Sequence, residues 1–496
     1  MEALDKEPKH RVQLHISLVD LDGSPILKFK HPQVKVSWLD RGNRCGAITN
    51  LKPGITTPEA DSPIELEYQF EAKQTLSIAI IDTGLQSEFS TQDITVGSLL
   101  TSSKRTLTLD LMSKMEKVPG KVSLTITPYD DGTSETAVIG FSCRQLAKKD
   151  TFSESDPYLV IYSHNDKGEL VQIHRTERYD DQPNPVFKKF EISMKTLCNG
   201  KRDKALLIKV WDYDKLKDDL IGSVKTTFEE LATGQELVLY GPKRENNGYI
   251  KADIVVNRKN NFVDYLLKGL NLQLSVAVDF TSSNGELKNP QSLHTRKGGI
   301  DNHYQKAMRE ISERILLFTG TEEILAMGFG AFPHFNDYND ISHCFPLAQK
   351  EWHVKDLPSL LRAYEDVRSL LKFNGFTLYE EIITKALERA KTAGTKLLYS
   401  VAVILTDGDV TDPERVNKLL DEAADLPISF LVVGFGDQSF PHFQDLSQGT
   451  FADTSKEMRR RVLNFAVFDE DVSKGVEELL KPLPGQITEY FQLKRI

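Results

Sequence analysis

Apolar and polar residues alternate in short runs through the first half of the chain, and this pattern changes character midway. VQLHISLVD at 12–20, LSIAIID at 76–82, TAVIGFS at 136–142, YLVIYS at 158–163, LLIKVWDYD at 206–214 and YIKADIVV at 249–256 carry the period of two of half-buried strands. Gly, Pro, Ser and Thr break these runs, and no long helical period separates them before about residue 260. The spacing predicts two antiparallel β-sandwich units of similar length, over 10–128 and 135–257. Their like texture suggests a tandem duplication.

From about residue 261 the strands become almost wholly apolar: LQLSVAVDF, EILAMGFGA, LYSVAVILTD and ISFLVVGFG. Amphipathic stretches lie between them, YQKAMREISERILLF, TLYEEIITKALERAK and PERVNKLLDEAAD. Continuous apolar strands alternating with helices predict a doubly wound, Rossmann-type α/β domain with a parallel sheet over 262–496. Such sheets bind ligands beyond the carboxyl ends of their strands. Asp279 and Asp407 fall at two of those ends. The GFG stretches at Gly328 and Gly434 follow strands but do not continue as dinucleotide fingerprints, and read as tight turns.

Bulk properties narrow the function. The chain has 496 residues, 40% hydrophobic and 27% charged, with a net charge of −10. That charge opposes bulk attraction to nucleic acid or anionic lipid, so an anionic partner needs a basic patch or a bound cation. The opening MEALDKEPKH lacks a secretory signal pattern, and apolar runs such as SVAVIL are too short to span a bilayer. Cys45, Cys143, Cys198 and Cys344 are scattered without zinc or redox spacing, as in a cytosolic protein with reduced thiols.

Two acid clusters carry the candidate chemistry. In VAVDFTSSNG, Asp279, Thr281 and Ser283 occupy alternate positions at a strand end, and Asp407 ends another strand in TDG. Carboxylates among hydroxyls suit a hard cation with an open position for an acidic group. In the second sandwich, Asp150 and Asp156 share one loop, and Asp212, Asp214 and Asp219 another. Crowded like charges are unfavourable unless a cation joins them, and flexible multi-carboxylate loops suit Ca²⁺. His174, Arg175, Arg178, Lys188 and Lys189 could form a basic face nearby, or an ordinary solvated one.

D-x-T-x-S followed by TDG resembles the metal-ion-dependent adhesion site (MIDAS) of von Willebrand factor A domains. The resemblance implies Mg²⁺ or Mn²⁺ held by Asp279, Thr281, Ser283, Thr377 and Asp407, with Thr377 coming from the loop NGFTLYEE. Asp409 and Asp412 lie close by and are left unassigned. SDPY, NP before a strand and D-x-D ahead of DLIG resemble a C2 domain, which implies Ca²⁺ at Asp150, Asp156, Asp212, Asp214 and Asp219, bridging to anionic lipid headgroups. The Asp212–Asp219 segment is one residue shorter than that family's loop, so Asp218 is the alternative last ligand.

The first sandwich fits the same template without its acids. Pro25 and His31 stand in the places of Asp150 and Asp156, and Gly84 replaces the second acid after Asp82. It is expected to be C2-like and to have lost Ca²⁺ binding. Lys28, Lys30 and Lys35 could still give metal-independent contacts.

Two C2-like units followed by an A-like domain is the order of copines, and NPQSLH at 289–294, ISHCFPL at 341–347 and the tail LPGQITEYFQLKRI also resemble that family. The resemblance implies a non-enzymatic cytoplasmic adaptor that moves to anionic phospholipid membranes with Ca²⁺ and recruits a protein partner through the A-like domain, with no nucleic-acid partner. Two other readings stay open. One is a calcium-independent scaffold. The other is a Mg²⁺-dependent phosphoryl-transfer or hydrolytic enzyme, against which stand the lack of a phosphate-cradling Gly-Lys loop and of an evident base beside Asp279.

Overall fold

The computed structural model describes residues 10–40, 43–52, 57–82, 84, 87–129, 135–148, 155–165, 167–215, 217–320, 323–336, 338–393, 397–451, 456–468 and 472–496. In the first sandwich, strand His10–Val19 buries Val12, Leu14, Ile16 and Leu18 and turns the residues between them outward. It pairs antiparallel with Ile64–Tyr68 on one side and Glu116–Pro128 on the other. These strands and Thr106–Ser113 form one half. Asn43–Asn50, Pro32–Asp40, Thr75–Asp82 and Ser87–Ser90 form the other. Ser90 opposite Met112 joins the halves.

The second sandwich repeats this order strand for strand. Leu170–Arg175, Pro157–His164, Ala205–Asp212 and Asp219–Thr227 make one half; Leu237–Tyr240, Asn246–Arg258, Glu135–Arg144 and Phe190–Ser193 make the other. Ser223 opposite Tyr240 joins them. Pro32 pairs with Asp82 in the first unit and Pro157 with Asp212 in the second. The two acids therefore occupy equivalent places.

The third sheet has the parallel strand order Ile324–Phe329, Asn271–Asp279, Leu398–Thr406, Ile428–Gly434, Leu463–Val467, with short antiparallel pairs at the Ile324 edge. Both faces are covered, which is why the central strands are apolar at nearly every position. Leu274, Val276 and Val278 face one core with helices His303–Ile315 and Leu483–Lys494. Ala277, Ala402 and Ile404 face another with Glu380–Lys391 and Pro413–Ala423. Helix His303–Ile315 starts at a capping box formed by Asn302 and Gln305 and buries Ala307, Met308, Ile311 and Ile315 on one stripe. The chain order of the strands reverses between Asn271–Asp279 and Leu398–Thr406, so a crevice is expected beyond those two ends.

The chain divides into two compact units, one made of 1–128 with 261–496 and the other of 129–260. Within the first, the sandwich and the α/β sheet share a continuous core. Phe70 packs edge-on against Phe262 and tilted against Phe318, both at 5.3 Å. Arg314 Nε donates to the Glu71 carbonyl at 3.1 Å. Gly97 leaves room for Leu317; a Cβ there would sit 3.2 Å from its methyl.

Candidate functional site

At the switch point, the backbone N–H of Thr281 donates to Asp279 Oδ1 at 2.8 Å, and Thr406 Oγ1 donates to Oδ2 at 2.5 Å. Ser283 Oγ and Asn284 Nδ2 donate to Asp407 Oδ1 at 2.8 and 2.9 Å. Thr281 Oγ1 lies 3.0 Å from Ser283 Oγ and 3.4 Å from Asp407 Oδ1. Thr377 reaches the same place: a Cβ on Gly408 would lie 2.7 Å from its Oγ1. The structure thus brings Asp279, Thr281, Ser283 and Asp407 together, with Thr377 beside Gly408, the residue after Asp407. Asp279 is 0% and Asp407 4% exposed, whereas Ser283 is open to solvent.

Burial raises the Asp279 pKa despite its hydrogen bonds. Burial and then the neighbouring Asp279 charge push Asp407 up to about 7. The groups holding the two carboxylates are hydroxyls, an amide and backbone N–H, none of which cancels charge. Hard oxygen donors with uncompensated negative charge fit a divalent cation.

Three glycines let the loops close on this point. Gly330 has φ +78°, and a Cβ there would overlap the Thr281 methyl. Gly375 donates its N–H to the Gly330 carbonyl at 3.0 Å, and a Cβ on it would lie 2.7 Å from that backbone. Gly408 abuts Thr377 as described. Gly330 closes the first GFG, where a turn was expected; Gly328, by contrast, is a strand residue against the Phe345 ring.

Beneath the site lies a set of residues that the motif reading did not assign. His294 is fully buried, with Nε2 2.9 Å from the Asp279 carbonyl and Nδ1 2.7 Å from Tyr364 Oη. It stacks between Phe280 and Tyr304 at 4.7 and 4.4 Å, and burial lowers its pKa to about 3. Tyr304 Oη donates to Asn284 Oδ1 at 2.5 Å, which orients the amide that holds Asp407. NPQSLH was the available signal, but nothing in its spacing gives His294 this partner. Asp409 and Asp412 cap helices: Asp409 accepts from the N–H groups of His442 and Phe443 at 3.0 and 3.2 Å, and Asp412 from Arg415 N–H at 3.3 Å.

In the second sandwich, the pairings Pro157 with Asp212 and Asp212 with Asp219 put Asp156, Asp212 and Asp219 at one end of the sheet. Asp212 Oδ1 accepts from the Asp156 N–H at 2.6 Å, and Asp156 Oδ1 from the Asp181 N–H at 2.8 Å. Asp214 and Asp219 are exposed. Asp218 instead accepts from Tyr158 Oη at 2.5 Å and from the Asp214 N–H at 3.2 Å. Asp150 lies outside the described residues. Among the described residues no three acidic, His or Cys side chains converge tightly enough to form a ready metal cage. Of these acids, Asp156 and Asp212 are held by backbone N–H groups.

The basic residues nearby are partly engaged. Lys189 pairs with Asp253 at 2.6 Å and Arg178 with Asp180 at 2.9 Å. Arg175 covers the Tyr158 ring at 4.1 Å, and His174 stacks on Phe190 at 3.5 Å. Lys188 is exposed.

In the first sandwich the remaining acid has been absorbed into structure. Asp82, 1% exposed, accepts from the N–H groups of Lys30, His31 and Gly84 at 2.7, 3.1 and 2.8 Å. These bonds commit its oxygens to holding the Lys30–His31 and Gly84 backbone.

Residues 134–240 match the C2 domain family model, and residues 292–496 match the copine model. Copine-A of Dictyostelium discoideum is 27% identical over 512 residues, covering 98% of this chain and 85% of that protein. Among solved structures, BON1-C2B is 25% identical over 26% of this chain and 95% of its own, with a TM-score of 0.23. The calcium-bound tandem C2 domains of Extended-Synaptotagmin 2 are 16% identical over 51% of this chain and 97% of their own, with a TM-score of 0.21. TM-scores that low add no weight to the sequence matches. The chain is therefore a C2-domain protein that carries a copine domain in its C-terminal part. Its similarity to Copine-A runs along nearly the whole length of the chain.

Proposed function

We propose that this chain is a copine and acts as a calcium-dependent phospholipid-binding adaptor. Its second sandwich takes Ca²⁺ at Asp150, Asp156, Asp212, Asp214 and Asp219 and docks on anionic membrane. Its A-like domain takes Mg²⁺ or Mn²⁺ at Asp279, Thr281, Ser283, Thr377 and Asp407 and recruits a protein through an acidic residue. The observation that carries the reading is the meeting of Asp279 and Asp407 among hydroxyl and amide donors at the sheet's switch point. A bound cation would neutralise that pair and leave an electrophilic position open to a partner's carboxylate.

The same electrostatics apply to the second sandwich. Empty, its loops repel an anionic leaflet; filled, they lose that repulsion and bridge to phosphate oxygens. Among the described residues no helix is long and apolar enough to cross a membrane, which agrees with docking at the surface. The test is sedimentation of the full chain with phosphatidylserine vesicles. Binding is expected in Ca²⁺ but not in chelator, and Asp212→Asn should abolish the difference. Equal binding in both conditions, unchanged by Asp212→Asn, would instead favour the constitutive scaffold.

A further inference from the structure

The loop that delivers Thr377 also holds an aromatic ring in water. Phe376 is 79% exposed, while Phe373, three residues earlier, packs on Phe280 and His294 at 5.5 and 5.1 Å. A lone exposed ring is ordinary on a protein surface; its place is what matters. On one side, Gly375 is bonded to the Gly330 backbone at 3.0 Å, and its carbonyl lies 3.5 Å from the Ser282 nitrogen. On the other, the Thr377 carbonyl accepts from Thr411 Oγ1 at 2.6 Å. Both neighbours of Phe376 are tied to the loops of the cation site. The ring's Cα is one peptide unit, about 3.8 Å, from that of Thr377.

Residues 285–301 border the site from another side. They are anchored by the Leu293 N–H on the Asn284 carbonyl at 3.1 Å and by Asn302 Nδ2 on the His294 carbonyl at 2.8 Å. Exposed Lys288, Lys297 and Ile300 lie on this stretch. Lys297 is close enough to His303, at the start of its helix, to lower that imidazole's pKa after burial and Lys306 have done so. The stretch carries both signs, Glu286 and Asp301 beside Lys288, Arg296 and Lys297, with Ile300 an apolar point on it, and the two carboxylates of the cation site lie below the surface.

We infer that this face binds a protein segment in which an Asp or Glu stands directly beside an apolar residue. The acid reaches down to the cation between Asp279 and Asp407, and the apolar side chain packs on Phe376. This rests on the cation-site reading above and adds the partner's second determinant. The recess of the carboxylates favours a peptide, whose acid projects on its own side chain, over the plane of a lipid surface. Aromatic anchors flanking a polar contact are common centres of binding energy.

A random heptapeptide phage library is panned on the full chain in millimolar Mg²⁺ and eluted with EDTA. Enrichment of Asp or Glu adjacent to Leu, Ile, Val or Phe is expected. Phe376→Ser should weaken a selected peptide about tenfold and erase the apolar preference, with Mg²⁺ affinity by calorimetry unchanged. Asp279→Asn should remove both Mg²⁺ and peptide binding. Acid-only peptides, peptides bound equally by Phe376→Ser, or no EDTA-eluted peptides from a protein that does bind Mg²⁺ would overturn the inference alone. Absence of Mg²⁺ binding by the unaltered chain would overturn the cation-site reading and this inference with it. Phe376-dependent binding of phosphatidylserine vesicles in Mg²⁺ by the Asp212→Asn chain would assign the face to lipid and also overturn it.

Discussion

Asp279 and Asp407 are set by their neighbours as much as by their own charge. Thr281 can bridge them because Gly330 lets its methyl lie against bare backbone. Gly330→Ala adds a Cβ where Thr281 already sits, at a φ of +78° that strains any L side chain. Mg²⁺ affinity measured by calorimetry is expected to fall about tenfold or more, as for other losses of support around metal ligands, while circular dichroism stays native. Ligand-type residues at this point were legible beforehand, since D-x-T-x-S and TDG display oxygen donors at alternate positions after apolar strands. Gly330, Gly375 and His294 were not, because their roles depend on contacts with loops distant in the chain. Asp82 shows the converse: as a letter it resembles Asp212, but three N–H donors have made it structural.

Strands and helices were readable from period two, from continuous apolar runs and from the stripes of the helices. How their ends are satisfied was less readable. Arg460, 2% exposed, inserts its guanidinium beneath the C-terminal end of helix Pro413–Ala423. It donates to the carbonyls of Ala424, Leu426 and Ile428 at 3.1, 2.7 and 3.1 Å, and to Tyr399 Oη at 2.9 Å. These bonds tie that helix end to two strands of the sheet and satisfy carbonyls that the helix leaves over. Arg460→Met keeps the bulk but strands those acceptors. Urea denaturation is expected to show a loss of about 3 kcal/mol, and Arg460→Lys should recover only part of it, lacking the planar fork.

At the scale of the molecule, the first sandwich is a partner of the α/β sheet, joined to it by Phe70, Phe262 and Phe318. Sequence patterns give no sign of this, because each strand and helix satisfies its local period with or without the contact. Residues 129–260 have their own core. Expressed alone, they are expected to unfold cooperatively; residues 1–128 alone, with the Phe70 face bare, should bind the dye ANS and aggregate. His10 lies at this junction, 5.8 Å from the Phe262 ring. Burial lowers its pKa from 6.5 to about 4, against the opposing pull of Asp264 and Glu67. As pH falls from 6.5 towards 4, the unfolded chain takes up a proton that the native histidine refuses, so stability drops over that window, by about 3 kcal/mol at most. His10→Phe should lessen the loss seen in urea titrations between pH 7 and pH 5; an unchanged slope would place the proton uptake elsewhere. The junction also imposes a delay during synthesis. The surface around Phe70 is complete once residue 128 leaves the ribosome, yet Phe318 is made 190 residues later. At about 5–20 residues per second, that is roughly 10–40 s. Through that interval the nascent chain carries a finished sandwich with an uncovered greasy flank, and it is then that a chaperone has something to hold.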